Sequence, residues 1–196
     1  ITFGDPDFFN GIGHAIPLIR TFHEDFPDVS YDVTIKVEHL LKYTKHLPTL
    51  RETGCVMVTT AVESIDDRVL TILDKGHTRE DFIRVVKIFN HLGLNLNPTF
   101  VPFSPWITLD GYLELLELLT TLDLIDSVSP IQLAIRLLIP AHSKLLELPE
   151  VRSLMGPFEE ERLSYDWRHP DPGVDRLYHD VRNLICEGQA GNASRR

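Results

Sequence analysis

The chain has 196 residues, of which 43% are hydrophobic and 24% charged, the proportions of an ordinary globular protein. A formal net charge of −10 argues against nucleic acid as the main partner, since phosphate binding needs a surface rich in Lys and Arg. No apolar run reaches membrane-spanning length and no signal peptide is visible, so a cytosolic protein is expected. Cys55 and Cys186 are too few for a disulfide framework and fit a reducing compartment.

Strand and helix patterns alternate along the chain. Residues 1–3 read as a strand remnant, and a chain that opens with Ile1 inside a strand is expected to be a fragment. A Gly/Asp/Pro loop and a helix over 13–26 follow. A strand over 31–37 precedes a helix over 38–52, and a strand over 55–62 precedes a short helix over 65–74 and a longer one over 79–92. A strand over 94–101, a helix over 109–122 and a last strand over 128–138 complete the series. This rhythm predicts a parallel sheet with right-handed crossovers. Ser64 and Thr78 each carry an acid three residues on, close to a capping box, and Gly76 suits a left-handed helix end.

The strands alternate, although parallel strands are usually apolar on both faces. Tyr31, Val33, Ile35 and Val37 oppose Asp32, Thr34, Lys36 and Glu38; Leu94, Leu96, Pro98 and Phe100 oppose Asn95, Asn97, Thr99 and Val101; Ile131, Leu133, Ile135 and Leu137 oppose Gln132, Ala134 and Arg136; Met57, Thr59, Ala61 and Glu63 share one face. One explanation is an antiparallel sheet with a wet face. The other is a barrel whose interior holds a polar ligand, which the helical linkers favour. The segment 54–78 is the most informative. A buried strand ends in Glu63, and an extra short helix brings Lys75-Gly76-His77-Thr78 to the same rim of the sheet, where ligands bind in α/β folds.

Together these units resemble the radical S-adenosylmethionine superfamily without its first strand, over about residues 1–140. Thr2-Phe3-Gly4-Asp5-Pro6-Asp7 is similar to the turn that holds the methionyl amino group. Glu63-Ser64 resembles the polar residue meeting the ribose or amino group, and Lys75-Gly76-His77-Thr78 the basic segment that meets the methionyl carboxylate. Residues 93–98 look like the fifth strand, where Asn97 would reach the nucleoside. The resemblance implies S-adenosylmethionine and a four-iron four-sulfur cluster as cofactors. It also implies reductive cleavage to a 5′-deoxyadenosyl radical and an electron donor such as a flavodoxin or ferredoxin. The family's Cys-x-x-x-Cys-x-x-Cys loop is not in this sequence, so the cluster ligands are expected on an upstream segment and no metal ligand is assigned here.

Each candidate has a plain reading beside the functional one. Gly4, Asp5 and Pro6 make a turn in any case. Glu63 can be a solvated residue before a cap, and Lys75 can complement a helix dipole. Asn97 can pair with a neighbouring side chain. Arg136, in the last predicted strand, reads as the ion-pair partner of Asp32, Glu38 or Glu63, or as a clamp on an anionic part of cofactor or substrate. Lys36 is the best cavity-lining candidate for a ligand contact. No HExxH, GxSxG, P-loop or GxGxxG motif occurs. The fold expected is α/β, an incomplete parallel βα barrel over 1–140 with a helical C-terminal extension over 141–196. In that extension residues 145–155 can be a helix, Asp171-Pro172 opens another with Leu177, Val181 and Leu184 on one face, and the tail after Cys186 is polar and expected to be disordered. Two rivals remain: a non-catalytic nucleoside-binding or scaffold protein on the same barrel, and a cluster-free barrel enzyme using Asp32, Lys36, Glu63 and Arg136 in acid–base roles.

Overall fold

The computed structural model describes residues 1–193, with side chains through residue 188. It divides into two compact units. The first comprises residues 1–100 and 118–128, and the second residues 101–117 and 129 onward.

The first unit is built in chain order from α1 (Ile12–Asp25), β1 (Tyr31–Thr34), α2 (Val37–Lys42), α3 (Leu47–Glu52), β2 (Cys55–Glu63), α4 (Asp67–Ile72), α5 (Arg79–Leu92) and β3 (Leu96–Phe100). The three strands form one parallel sheet in the order β1-β2-β3. Each strand is joined to the next through helices, as parallel neighbours require. The predicted strand remnant at residues 1–3 is present as a single parallel bridge between Thr2 and Asp32. The region predicted as one helix over 38–52 is α2, a 3-10 turn and α3, because Pro48 falls where a continuous helix would need its N–H.

One face of this sheet is closed. Tyr31, Val33, Val58, Thr60, Val62, Leu96 and Phe100 are buried, and Phe82, Val85, Val86 and Phe89 of α5 are buried with them. The Phe82 and Phe100 rings meet edge-on at 5.9 Å. At the outer edge of β1, where Thr2 bridges Asp32, Phe3 and Phe22 pack edge-on against Tyr31 at 5.3 and 6.1 Å. The Tyr31 hydroxyl lies 2.7 Å from Thr53 Oγ1, so the buried phenol keeps a partner. The ends of α5 follow the sequence closely. Thr78 and Asp81 form a reciprocal capping box, and Gly93 ends the helix at φ 61°.

The second unit differs from expectation. After α6 (Leu109–Thr121), residues predicted as the last strand, 128–138, form a 3-10 turn at Pro130–Ala134 and a single parallel bridge between Phe103 and Arg136. Pro130 starts that turn, and an apolar residue at every second position suits an irregular packed segment as well as a strand. The extension is not purely helical. β4 (Ile139–Pro140), α7 (Pro149–Arg152), β5 (Met155–Glu159) and β6 (Ser164–Trp167) give a small antiparallel sheet in the order β4-β6-β5, and α8 runs over Pro172–Ala193. The predicted helix over 145–155 is therefore a 3-10 turn, α7 and the first residue of β5. Ile139, Val151 and Trp167 form one core cluster here, and Phe103, Tyr112 and Val174 another. Asp171 caps α8 as the sequence predicts, its carboxylate accepting from Gly173 N–H at 2.7 Å. The tail predicted to be disordered after Cys186 continues α8 to Ala193; residues 194–196 lie outside the described residues. Leu177 and Val181 are half-buried, whereas Leu184 is exposed.

Among the described residues no helix is long and apolar enough to cross a membrane.

Candidate functional site

The second face of the parallel sheet is polar and only half-buried. Asp32 and Thr34 on β1, Met57, Thr59 and Ala61 on β2, and Asn97 and Thr99 on β3 all point there. The register sets Thr34 beside Thr59 and Thr59 beside Asn97. Asn97 Nδ2 donates to Thr59 Oγ1 at 3.2 Å, and Thr2 Oγ1 donates to Asp32 at 2.9 Å. Parallel sheets ordinarily bury both faces in hydrocarbon, so a row of hydroxyls and amides along one face sets this sheet apart.

The carboxyl ends of β1 and β2 carry the charges. Glu63 closes β2 with φ 66°, a conformation a residue with a side chain occupies at a cost of roughly 1–2 kcal/mol. The bent backbone turns its carboxylate toward the chain returning from α4, where Lys75 Nζ lies 2.7 Å from Glu63 Oε1. Lys75 stands beyond the last residue of α4, so its charge serves this pair rather than the helix end. Gly76, at φ 34°, runs against the Glu38 carboxylate, and a Cβ there would collide with it. His77 places a ring nitrogen 3.2 Å from Val62 O, and burial holds its pKa below the ordinary imidazole value.

A second cluster lies at the end of β1. Phe8 N–H donates to Thr34 O, which pins the turn of Gly4, Asp5 and Pro6 to that strand end. The turn itself is exposed, and the Asp5 side chain accepts from Asp7 N–H at 2.9 Å, an Asx-turn of the kind the sequence indicates. Asp7 is the buried carboxylate of this loop. His39 Nδ1 approaches it at 2.7 Å without an aligned hydrogen bond, and Lys36 Nζ lies 3.9 Å from it and 3.8 Å from Glu38. Lys36 is 59% exposed at its side chain. The structure thus brings Lys36, Glu63 and Lys75 to the carboxyl ends of neighbouring strands, with Asn97 on the polar face. Sequence reasoning passed over His39 and His77. His77 sat in the motif already quoted, whereas nothing local marks His39, which reaches Asp7 only through tertiary folding.

Arg136 belongs to the second unit, and its partner is none of the three carboxylates expected. Its guanidinium pairs with Asp175 at 2.9 Å, donates to Trp167 O at 2.7 Å and stacks 3.7 Å from the centre of the Trp167 ring. Asp175 lies on α8, far along the chain, and no local pattern announced it.

The cysteines do not fit an iron–sulfur cluster. Cys55 is buried in β2, its thiol donates to Met57 O, and burial pushes its pKa up to about 11, against the thiolate that iron requires. Cys186 is exposed on α8. Among the described residues no group of three or more His, Cys, Asp or Glu is placed to hold a metal ion.

No family model matches the sequence, and no curated protein matches it. Solved structures do. The cobalamin-dependent S-adenosylmethionine radical enzyme OxsB, with aqua-cobalamin and S-adenosylmethionine bound, matches 94% of this chain at TM-score 0.74 and 17% identity. The same enzyme with aqua-cobalamin alone matches at TM-score 0.75. The archaeal Methanocaldococcus infernus Elp3 with an N-terminal deletion matches 69% of this chain at TM-score 0.50 and 18% identity. The chain covers 34% of OxsB and 30% of that Elp3, so it spans about a third of the structures it matches. Its structural neighbours include radical S-adenosylmethionine enzymes, and the chain carries the fold of a part of such an enzyme.

Proposed function

We propose that this chain is the C-terminal portion of a radical S-adenosylmethionine enzyme and contributes part of the cofactor's binding surface. The observation that carries the reading is the paired rim of Glu63 and Lys75 above a polar sheet face, in a fold like that of OxsB. The methionyl end of S-adenosylmethionine is a zwitterion. Glu63 and Lys75 neutralise one another in its absence, and each exchanges its partner for the ligand's ammonium or carboxylate when the cofactor binds. That exchange keeps every charge paired, which a half-buried site requires. Gly4, Asp5 and Pro6 border the amino group, Asn97 and Thr99 offer donors and acceptors to the nucleoside, and Lys36 supplies a further cation on the same rim. Arg136 is reserved for the second unit, where Asp175 and Trp167 already engage it.

If bound here, S-adenosylmethionine would supply, on one-electron reductive cleavage that releases methionine, a 5′-deoxyadenosyl radical able to take a hydrogen atom from substrate, and Glu63 and Lys75 would hold its methionyl end. The chain's own residues orient it and exclude water. The cluster that delivers the electron does not fit the cysteines present here. Its thiolates are proposed to come from a Cys-x-x-x-Cys-x-x-Cys segment upstream in the whole protein, served by a flavodoxin or ferredoxin. The test is anaerobic reconstitution of the protein encoded by the complete open reading frame. A brown species with about four irons per chain that releases 5′-deoxyadenosine supports the proposal. A colourless, iron-free product favours a non-catalytic binding protein on the same fold.

A further inference from the structure

The second unit holds a cavity of about 980 Å³. Its walls are the segment carrying Arg136, strand β6, and the first turns of α8. Four arginines line it, Arg136, Arg162, Arg168 and Arg182, against three carboxylates, Glu159, Asp166 and Asp175, with His169 and His179 beside them. A cationic surplus gathered in one cavity is unexpected in a chain of net charge −10. Two of the carboxylates are already engaged, Asp175 by Arg136 at 2.9 Å and Glu159 by Arg162 at 3.0 Å. Arg168 and Arg182 form no ion pair among the described residues.

Two further features point to an anionic occupant. Arg136 is held rigidly by the Trp167 ring at 3.7 Å and by Tyr178 at 5.0 Å. Its bonds to Asp175 and to Trp167 O use two of its five N–H donors, and the remaining three have no partner among the described residues. His169 Nδ1 lies 3.0 Å from Asp171 N and 3.2 Å from Asp171 O, so both of its local contacts are made through Nδ1 and none through Nε2. That Nε2 is buried and has no hydrogen-bond partner among the described residues. A buried ring nitrogen without a partner is unfavourable unless a polar group of a ligand meets it.

We propose that this cavity binds a small molecule through a phosphate group, which takes the spare Arg136 donors and the side chains of Arg168 and Arg182, with His169 Nε2 as a further polar contact. Several guanidinium groups lining one cavity suit a tetrahedral oxyanion with many acceptor oxygens better than a single planar carboxylate. The site is independent of the S-adenosylmethionine reading.

The test titrates inorganic pyrophosphate, and separately citrate, into the full chain by calorimetry at matched ionic strength. Pyrophosphate is expected to bind, and the double variant Arg168→Gln/Arg182→Gln to weaken it by about tenfold or more. The double variant Arg20→Gln/Arg84→Gln removes the same charge elsewhere and is expected to leave affinity unchanged. No pyrophosphate binding, equal weakening in both double variants, or unchanged affinity in Arg168→Gln/Arg182→Gln would overturn the site. Citrate binding tighter than pyrophosphate would overturn the phosphate assignment.

Discussion

Glu63 reaches Lys75 at 2.7 Å from a backbone bent to φ 66°. The two facts belong together, because the bend at the end of β2 is what aims the carboxylate at the chain returning from α4. Strain in a residue that is not glycine persists only where surrounding structure enforces it, and such residues concentrate at ligand sites. Glu63→Gly removes the strain along with the ion pair, and these opposing changes are each about 1 kcal/mol. Chemical denaturation should therefore find Glu63→Gly within about 1 kcal/mol of the parent, and Glu63→Val roughly 2 kcal/mol or more below Glu63→Gly, since a β-branched residue fits positive φ worst. Equal stability of the two variants would show that the bend is not enforced.

Gly76 sits where a side chain would meet the Glu38 carboxylate, at φ 34°. Gly76→Ala should displace the segment carrying Lys75 and His77 and weaken S-adenosylmethionine binding in the whole protein by about tenfold, while costing about 1 kcal/mol of stability. Isothermal titration and thermal unfolding check the two effects separately.

Thr78 anchors the same segment to α5. Its hydroxyl accepts from Asp81 N–H, and the Asp81 carboxylate accepts from Thr78 N–H at 3.0 Å. Thr78→Ala should lower stability by about 1 kcal/mol and raise amide exchange in the first turn of α5, with Thr78→Ser restoring most of both.

Cys55 predicts an alkaline response. Burial raises its thiol from the ordinary 9.0 to about 11 in the folded chain. The unfolded thiol therefore loses its proton first, and the folded state loses stability as pH rises from about 9 toward 11. Denaturation at pH 8 and pH 10.5 should show a fall that is about 1–2 kcal/mol smaller in Cys55→Ala than in the parent. An identical fall in both would place the response elsewhere, with Tyr31 and Tyr112 as the next groups whose burial raises their pKa.

The first unit was largely legible because its signals are local. Alternation in β1, β2 and β3, the capping box at Thr78 and the left-handed Gly76 each follow from neighbouring residues. The rim pair of Glu63 and Lys75 was also legible, since twelve residues and one short helix separate them. The second unit was not. Alternating Ile131, Leu133, Ile135 and Leu137 imitate a strand, but Pro130 opens a 3-10 turn there. The antiparallel sheet was hidden by Gly156 and Pro157 within β5, residues that depress any strand reading. The partnerships of Arg136 with Asp175 and of Asp7 with His39 join positions 39 and 32 residues apart, and only folding brings them together.

The central claim is that the rim at the carboxyl end of the parallel sheet takes the methionyl end of S-adenosylmethionine. The most direct measurement is the dissociation constant of that ligand for the whole, anaerobically reconstituted protein, compared with Glu63→Ala and Lys75→Ala by equilibrium dialysis. The account predicts a loss of about tenfold or more in each variant, about 1.4 kcal/mol, with iron content unchanged. Parent-like affinity in both variants would contradict it.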